Sequence, residues 1–479
     1  MADSILFAAQ GNDYLLNDDG LALLHPELAK AMQGGNDVDS YYIEKAKYLH
    51  SYNRSPADED KNSKTFIQLT AADVEEQLAN TPQIVFEVTD ACNLNCTYCG
   101  YGELYGNYDT RESTQLPIEK ATRFIDHLAQ KWQSIQNKSA LQDVYISFYG
   151  GEPLLNMPFI KSIVNHVKSL NCPTRTFTFS MTTNAVLLKR YMEYLVENEF
   201  KILISLDGNE ENMGYRLDHA GQSAFKLISD NIDTLQQQYP EYFVKNINFS
   251  AVLHNKNSVE SVYRYITDRY GKIPSISEVN SLGIKPEKQE QFMKTYRNAT
   301  QSLYEAENYT EVEKGLFVEA GSYRSATAFL NQHSGFAFKD YSTLMYATKS
   351  SQVRQTGTCL PFSKKVFITV SGKILPCERI GQEYGLGEIT DTNIELDINR
   401  VAELYNLSYS KLANQCRQCA NLTSCKQCLF YLPTLKEKNV VCNGYLNKKG
   451  LAKYATHQID FLSKHRDDYS RIMEEVNIG

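Results

Sequence analysis

From about residue 83 the apolar positions switch period repeatedly. "QIVFEVTD" is a β-branched and aromatic run, the pattern of a strand. Ile118, Ala121, Ile125, Leu128, Trp132 and Ile135 then recur every three or four residues, the stripe of a helix. "DVYISFYGG" predicts the next strand, and Ile160, Ile163, Val164 and Val167 the next helix. The alternation continues through "TFTFSMTTN" and "LLKRYMEYLVEN". It continues again through "FKILISLDG" and the stripe of Phe225, Ile228, Ile232 and Leu235, then "NINFSAVLHN" and "SVESVYRYITDRY". "SISEVNSLG" supplies a sixth strand. Repeated strand–helix units imply a parallel sheet with right-handed crossovers, open or closed into a barrel.

The flanks have another character. "ILFAAQGNDYLLNDDGLALL" has short apolar runs broken by Gly, Asn and Asp, which predicts small strands and turns. "HPELAKAM" opens a helix, and "NRSPADEDKNSKT" reads as a linker or exposed loop. Residues 285 to about 350 are polar and Tyr-rich, with helical expectation. "KKVFITVSGKILPCERI" predicts a hairpin around Ser371-Gly372. "HQIDFLSKH" near the C-terminus has helical apolar spacing and a packing role.

A chain of 479 residues exceeds one ordinary domain, and its 42% hydrophobic content supports large cores. The formal charge of -8, with no basic run, argues against a nucleic-acid partner read through phosphates. No apolar run approaches a membrane span, and the N-terminus lacks a signal-peptide pattern. The expected compartment is the cytoplasm, where thiols stay reduced. The eleven cysteines then matter: an odd number in clusters with short gaps reads as metal sites, not as a disulfide framework.

"TDACNLNCTYCGYG" places Cys92, Cys96 and Cys99 in one loop after the first strand. A structural zinc site takes four protein ligands and a disulfide takes two. A four-iron cluster held by three thiolates leaves one iron open to a small molecule. The loop sits at the C-terminal end of a strand, where parallel α/β folds bind ligands. A three-Cys zinc site completed by a distant residue is the competing reading.

"CNLNCTYC" resembles the signature of the radical S-adenosylmethionine enzymes, including an aromatic residue, Tyr98, before the third cysteine. The resemblance implies a partial (β/α)6 barrel whose open iron chelates S-adenosylmethionine. It also implies an electron that breaks a C–S bond, giving a 5'-deoxyadenosyl radical that abstracts hydrogen. "GGEP" (Gly150, Gly151, Glu152, Pro153) then matches the segment that binds the methionyl ammonium. Asn184 in "TTNA", and Ser205 and Asp207 in "SLDG", stand at strand ends where a barrel places ligand-facing groups. Arg216 suits the methionyl carboxylate, or is a solvated arginine.

Seven cysteines lie between 359 and 442. "CRQCANLTSCKQC" by itself reads as a zinc knuckle or ribbon. The whole set resembles the SPASM extension of radical enzymes that modify peptides and proteins. One departure is that two residues, not three, separate Cys425 and Cys428. The resemblance implies that Cys416, Cys419, Cys425 and Cys442 hold one auxiliary cluster completely, and that Cys359, Cys377 and Cys428 hold three corners of another. Cys172 is left over, a buried small apolar residue. Glu378 follows Cys377, where sulfatase-maturing relatives carry an acidic residue that removes a substrate proton. The alternative is a carboxylate paired with Arg379 or another base.

The expected organisation is α/β: a small N-terminal region (1–80) that binds a leader peptide, a radical SAM partial barrel (81–285) and a helical connector (286–355). A SPASM domain (356–445) and a C-terminal helix (446–479) follow. The expected cofactors are three [4Fe-4S] clusters and S-adenosylmethionine. The expected activity is oxidative modification of a ribosomally made precursor peptide, a thioether or C–C crosslink. An external flavodoxin- or ferredoxin-like electron donor is the expected partner, with no nucleic acid and no membrane. The alternatives are an anaerobic sulfatase-maturing enzyme that forms formylglycine, and a non-catalytic iron–sulfur or zinc protein.

Overall fold

A computed structural model describes residues 5–17, 20–35, 37–52, 66–139, 142–333 and 354–476. The linker expected at 53–65 lies outside them. The chain divides into two compact units. One comprises residues 69–316 and 359–405, and the other residues 1–68, 317–358 and 406–479.

The first unit is built on six parallel strands in chain order: β4 (Gln83–Thr89), β5 (Asp143–Gly150), β6 (Thr176–Thr183), β7 (Lys201–Ser205), β8 (Ile247–Leu253) and β9 (Ser275–Glu278). The crossovers carry α4 (Ile118–Trp132), α5 (Met157–Ser169), α6 (Leu188–Glu197), α7 (Phe225–Gln238) and α9 (Val259–Tyr270). A short α3 (Ala71–Ala79), with a reciprocal capping box between Thr70 and Asp73, precedes the sheet. The sheet is open, so it forms a partial barrel. Two expectations change. Ile135 lies beyond the end of α4 and is 96% exposed, because the helix stops at Trp132. A further helix, α8 (Pro240–Asn246), starts at Pro240, a residue pre-set for a first helical turn.

The expected hairpin is present, but it is part of this sheet. β10 (Val366–Ile368) runs parallel to β4, pairing Val366 with Ile84 and Ile368 with Phe86. β11 (Lys373–Leu375), β12 (Gly387–Ile389) and β13 (Ile394–Glu395) continue antiparallel, giving ten strands. The stretch after β9 carries α10 (Gln289–Thr295), α11 (Ala299–Tyr304) and α12 (Tyr309–Leu316), and α13 (Gly321–His333) belongs to the other unit. The rest of the expected connector, 334–353, lies outside the described residues.

In the second unit, β1 (Ile5–Ala9), β2 (Asn12–Asn17) and β3 (Gly20–Leu24) form an antiparallel sheet, followed by α1 (Pro26–Met32) and α2 (Ser40–Tyr52). The sequence reading missed α2, whose charges and tyrosines blur any apolar stripe. Ile5, Phe7, Ala9 and Leu16 pack with Phe329 of α13 and with Leu451 and Ala455 of α16 (Lys448–Lys464). The helices α14 (Ile398–Ser410), α15 (Ala413–Gln418) and α17 (Arg466–Glu475) complete the described elements.

Phe148 sits on β5 in the sheet core, against Phe159 and Phe200. Phe148→Ala should lower unfolding free energy by about 3–5 kcal/mol, the scale of a fully buried aromatic truncation. The single tryptophan, Trp132, is fully buried in the same unit and reports unfolding by fluorescence. A loss under about 1 kcal/mol would contradict this core position.

Candidate functional site

β4 ends at Thr89, and the loop that follows closes on itself. Thr89 bridges Gln115, its hydroxyl donates to Thr114 O at 2.8 Å, and Leu116 N donates to Val88 O at 3.2 Å. Within the loop, Cys99 N donates to Cys96 O at 3.0 Å. Asn95 N to Leu217 O (2.7 Å) and Thr97 N to Tyr215 O (3.1 Å) fasten it to the segment after β7. The loop thus gathers Cys92, Cys96 and Cys99. Burial pushes the Cys92 thiol up to about 11 and Cys96 up to about 12, and each lies within electrostatic reach of Cys99.

The end of β5 lies against this loop. Gly150 has φ +134°, and a Cβ there would stand 2.3 Å from Thr89 O. A Cβ on Gly151 would stand 2.0 Å from Ala91 O, so only glycine permits this approach. Gly151 N donates to Thr89 O at 2.8 Å and Glu152 N to Ala91 O at 2.9 Å. The buried Glu152 carboxylate accepts from Leu154 N (3.0 Å), Thr183 Oγ1 (2.7 Å) and Asn184 N (2.8 Å). Burial outweighs these three donors and raises its pKa to about 7. Asn184, after β6, donates from its amide to Asn93 Oδ1 at 2.7 Å and lies 3.8 Å from Cys92 Sγ. The next residue, Ala185, has φ +63°. Buried Asn231 of α7 holds that turn by donating to Ala185 O and Val186 O, both at 3.0 Å.

Ser205 is the half-buried last residue of β7. Asp207 and Arg216 are buried and joined to each other: Arg216 Nε and Nη2 donate to the two carboxylate oxygens at 3.0 Å each. Tyr98 OH also donates to Asp207, and Val252 N donates at 2.9 Å. His254, buried, stacks on Tyr98 with centroids 5.4 Å apart. Burial alone would raise the Asp207 pKa. The Arg216 charge and the donors from His254, Arg216 and Tyr98 outweigh it and hold the carboxyl at about 2. The structure therefore gives Arg216 a protein carboxylate as partner, which excludes the solvated alternative and engages its Nε and Nη2.

A second wall was invisible in the sequence reading. Glu87, 1% exposed inside β4, pairs with Arg111 at 2.7 Å and accepts from Val370 N at 3.1 Å. Arg111 lies over the Tyr101 ring, 3.6 Å from its centroid. Tyr101 in turn meets Tyr108 (4.9 Å) and Tyr149 (6.3 Å) edge to face. Burial raises the hydroxyls of Tyr108 and Tyr149, and both lie within electrostatic reach of Cys99 and Glu378. Cys377, pushed up to about 12 by burial, lies next in sequence to Glu378. Glu378 pairs through Oε1 with Lys365 at 3.1 Å, with Arg379 farther at 4.0 Å, and its buried Oε2 has no hydrogen-bond partner among the described residues. A buried acceptor left unsatisfied costs about 1–3 kcal/mol. The signal was present: a glutamate within an apolar strand, "FEV", and tyrosines in "CGYGELYGNY".

In the other unit, Cys416 is buried and pushed up to about 12 by burial first, then by Cys425, Cys442 and Cys419. The expected set of four is thus brought together. Cys419 Sγ accepts from Leu446 N at 3.5 Å, and Gln415 accepts from Cys442 N at 3.0 Å. Cys428 belongs to this unit, while the exposed Cys359 and Cys377 belong to the sheet unit. Cys172 is buried before β6, as expected.

The family model of the radical SAM superfamily matches residues 86–266, from β4 to α9. The chain thus carries a radical SAM domain. The cysteine-type anaerobic sulfatase-maturating enzyme of Clostridium novyi is 24% identical over 357 residues, 71% of this chain and 83% of that relative. The radical SAM cyclopropyl synthase TigE of Paramaledivibacter caminithermalis is 25% identical over 209 residues, 42% of each chain. A solved structure described as native anSMEcpe with bound AdoMet gives a TM-score of 0.49 at 18% identity, covering 81% of this chain and 99% of that one.

Radical SAM enzymes use S-adenosylmethionine and a [4Fe-4S] cluster, and the residues present fit both. The donor set at the loop is three thiols, and the glycine cradle beside it leaves Glu152 one open acceptor position on Oε2. Among the described residues no three candidate ligands are set for a single metal ion. A four-iron cluster takes each thiolate at a different iron, so its ligands stand farther apart. No helix of the described residues is long and apolar enough to cross a membrane.

Glu152 carries a pH signature. Its folded pKa of about 7 lies above the unfolded carboxyl, about 4.3, so its share of stability is fully present below the unfolded value. That share is lost as pH rises through the folded value. In metal-free protein, Glu152→Gln should remove a slope of up to about 1.4 kcal/mol per pH unit. Urea unfolding of both forms across this window checks it. Parallel stability–pH curves would show that Glu152 is not titrating there.

Proposed function

We propose that this enzyme oxidises one side chain of a peptide or protein substrate, as a maturase of the sulfatase-maturating type. The observation that supports this reading best is the reach of the relatedness. The clostridial sulfatase-maturating relative is matched over 83% of its length, not only over the radical SAM domain. This relatedness favours the sulfatase-maturating alternative over ribosomal-peptide crosslinking. The partial match to a cyclopropyl synthase keeps ribosomal-peptide modification as the second reading.

When bound, the cluster and S-adenosylmethionine supply an electron and a strong hydrogen-abstracting radical. Everything else falls to the chain. Cys92, Cys96 and Cys99 hold the cluster. Glu152 and the Gly150-Gly151 backbone face the methionyl ammonium, a role that suits a buried carboxylate with a spare acceptor site. Tyr98, Asn184, Ser205 and the Asp207–Arg216 pair shape the remaining pocket and exclude water. Glu378 takes a proton from the substrate through Oε2, which accepts from no donor among the described residues. Cys416, Cys419, Cys425 and Cys442 hold a further cluster, and the full set of C-terminal cysteines supports three clusters per chain. An external flavodoxin- or ferredoxin-like donor supplies the electron.

The test is an anaerobic assay with a sulfatase peptide carrying one Cys, read by peptide mass and by 5'-deoxyadenosine. Replacing Cys92, Cys96 and Cys99 by Ala should abolish 5'-deoxyadenosine and leave about eight of about twelve irons. Retained cofactor cleavage would overturn the loop assignment, and zinc in place of iron would overturn the enzyme's proposed cluster content.

Glu378→Gln keeps size and hydrogen bonding and removes basicity. Product should fall by about 100-fold or more while 5'-deoxyadenosine still forms. An unaltered product yield would return Glu378 to the role of an ion-paired structural carboxylate.

A further inference from the structure

The geometry points to Lys365 as the positioning residue that holds Glu378 with one oxygen fixed and the other turned to the substrate. This inference rests on the proposed role of Glu378 and deepens it.

The hairpin places this lysine. Phe367 faces Leu375 and Ile368 faces Ile374 across β10 and β11. Continuing that register outward by two residues sets Lys365 opposite Cys377, and hence beside Glu378. Lys365 Nζ reaches Glu378 Oε1 at 3.1 Å. The side chains are 25% and 19% exposed, so the pair is shielded. Arg379 does not duplicate it: its Nε is 4.0 Å away and its side chain is 73% exposed.

The two carboxylate oxygens are therefore unequal. Oε1 receives the ammonium, and the buried Oε2 has no hydrogen-bond partner among the described residues. Tyr108 and Tyr149 lie within electrostatic reach of this carboxylate and of Cys99. A carboxylate held by one oxygen cannot rotate freely, so Oε2 keeps a fixed aim. When Oε2 accepts a substrate proton, the carboxylate becomes a neutral carboxyl and Lys365 stays an ammonium. Lys365 thus neither gives nor takes the proton.

Two readouts test this on the full-length chain. The first needs no substrate: zero-length carbodiimide coupling, which joins an amine to a carboxylate in contact. A Lys365–Glu378 isopeptide should appear by mass spectrometry, beside the Lys373–Asp109 pair at 2.9 Å as internal control. The control bond without the 365–378 bond would overturn the pairing.

The second is the ratio of modified Cys peptide to 5'-deoxyadenosine in reconstituted protein. Lys365→Met should lower that ratio about 10-fold, the scale of a lost hydrogen bond to a charged group. Lys365→Arg, which keeps a donor and the charge, should restore most of it. A normal ratio in Lys365→Met with a collapsed ratio in Glu378→Gln would refute the lysine's role and leave the base in place. A normal ratio in Glu378→Gln would refute both.

Discussion

Two backbones touch where β4 and β5 end, and the candidate site is assembled from that contact. Gly150 and Gly151 lie so close to residues 89–91 that a single Cβ would overlap a carbonyl oxygen. Two backbone hydrogen bonds, to Thr89 O and Ala91 O, lock the approach. Everything nearby is referenced to it. The cysteine loop departs from residue 91 on one side, and Glu152 follows directly on the other. Glu152 then accepts from Leu154, Thr183 and Asn184, and the Asn184 amide returns to Asn93 beside Cys92. The ends of three strands are joined by one continuous set of short contacts. Side chains held in this way keep the fixed geometry that radical chemistry requires of its reactants.

Three carboxylates of the sheet unit are each matched by a cation. Glu87 is matched by Arg111, Asp207 by Arg216, and Glu378 by Lys365. Such pairs add little net stability, because desolvation offsets their attraction, yet breaking one costs about 3–5 kcal/mol. Their value here is orientation. Asp207 holds Tyr98, Arg216 and the end of β8 through Val252 N. Glu87 ties Arg111, and through it Tyr101, to Val370 after β10. Both of those carboxylates have each oxygen engaged. Glu378 alone of the three has an oxygen that accepts from no hydrogen-bond donor and joins no ion pair among the described residues.

The sheet was legible because six strands and their helices alternate clean periods, and a period survives any detail of packing. The cysteine loop was legible because its spacing is chemical. Other features were hidden for identifiable reasons. The helix at Pro240–Asn246 is too short to show a stripe. Ile135 continued the α4 stripe on paper, but the chain had already turned after Trp132. Arg216 was expected to meet a ligand carboxylate. Its partner, Asp207, stands nine residues away in sequence, and only the fold shows that the two side chains meet. His254 and Asn231 lie on distant elements, and no local pattern distinguishes a supporting histidine or asparagine from an ordinary core polar residue.

The hairpin at Val366–Leu375 bears most directly on how the unit works. A separate C-terminal module would carry Cys377 and Glu378 on a linker, with freedom relative to the first cysteine loop. Pairing of Val366, Phe367 and Ile368 with Ile84, Val85 and Phe86 removes that freedom, because β10 shares a ladder with the strand that launches the loop. Phe367 also meets Tyr149 edge to face at 6.4 Å, so the hairpin packs onto the aromatic wall as well as onto the strand. A one-residue slip of β10 would turn Phe367 to the opposite face and carry Lys365 with it. The register that keeps Phe367 on Tyr149 is therefore the register that keeps Lys365 at Glu378. Packing and the placement of Glu378 are set by the same ladder, so this carboxylate cannot move without disturbing the core beside it.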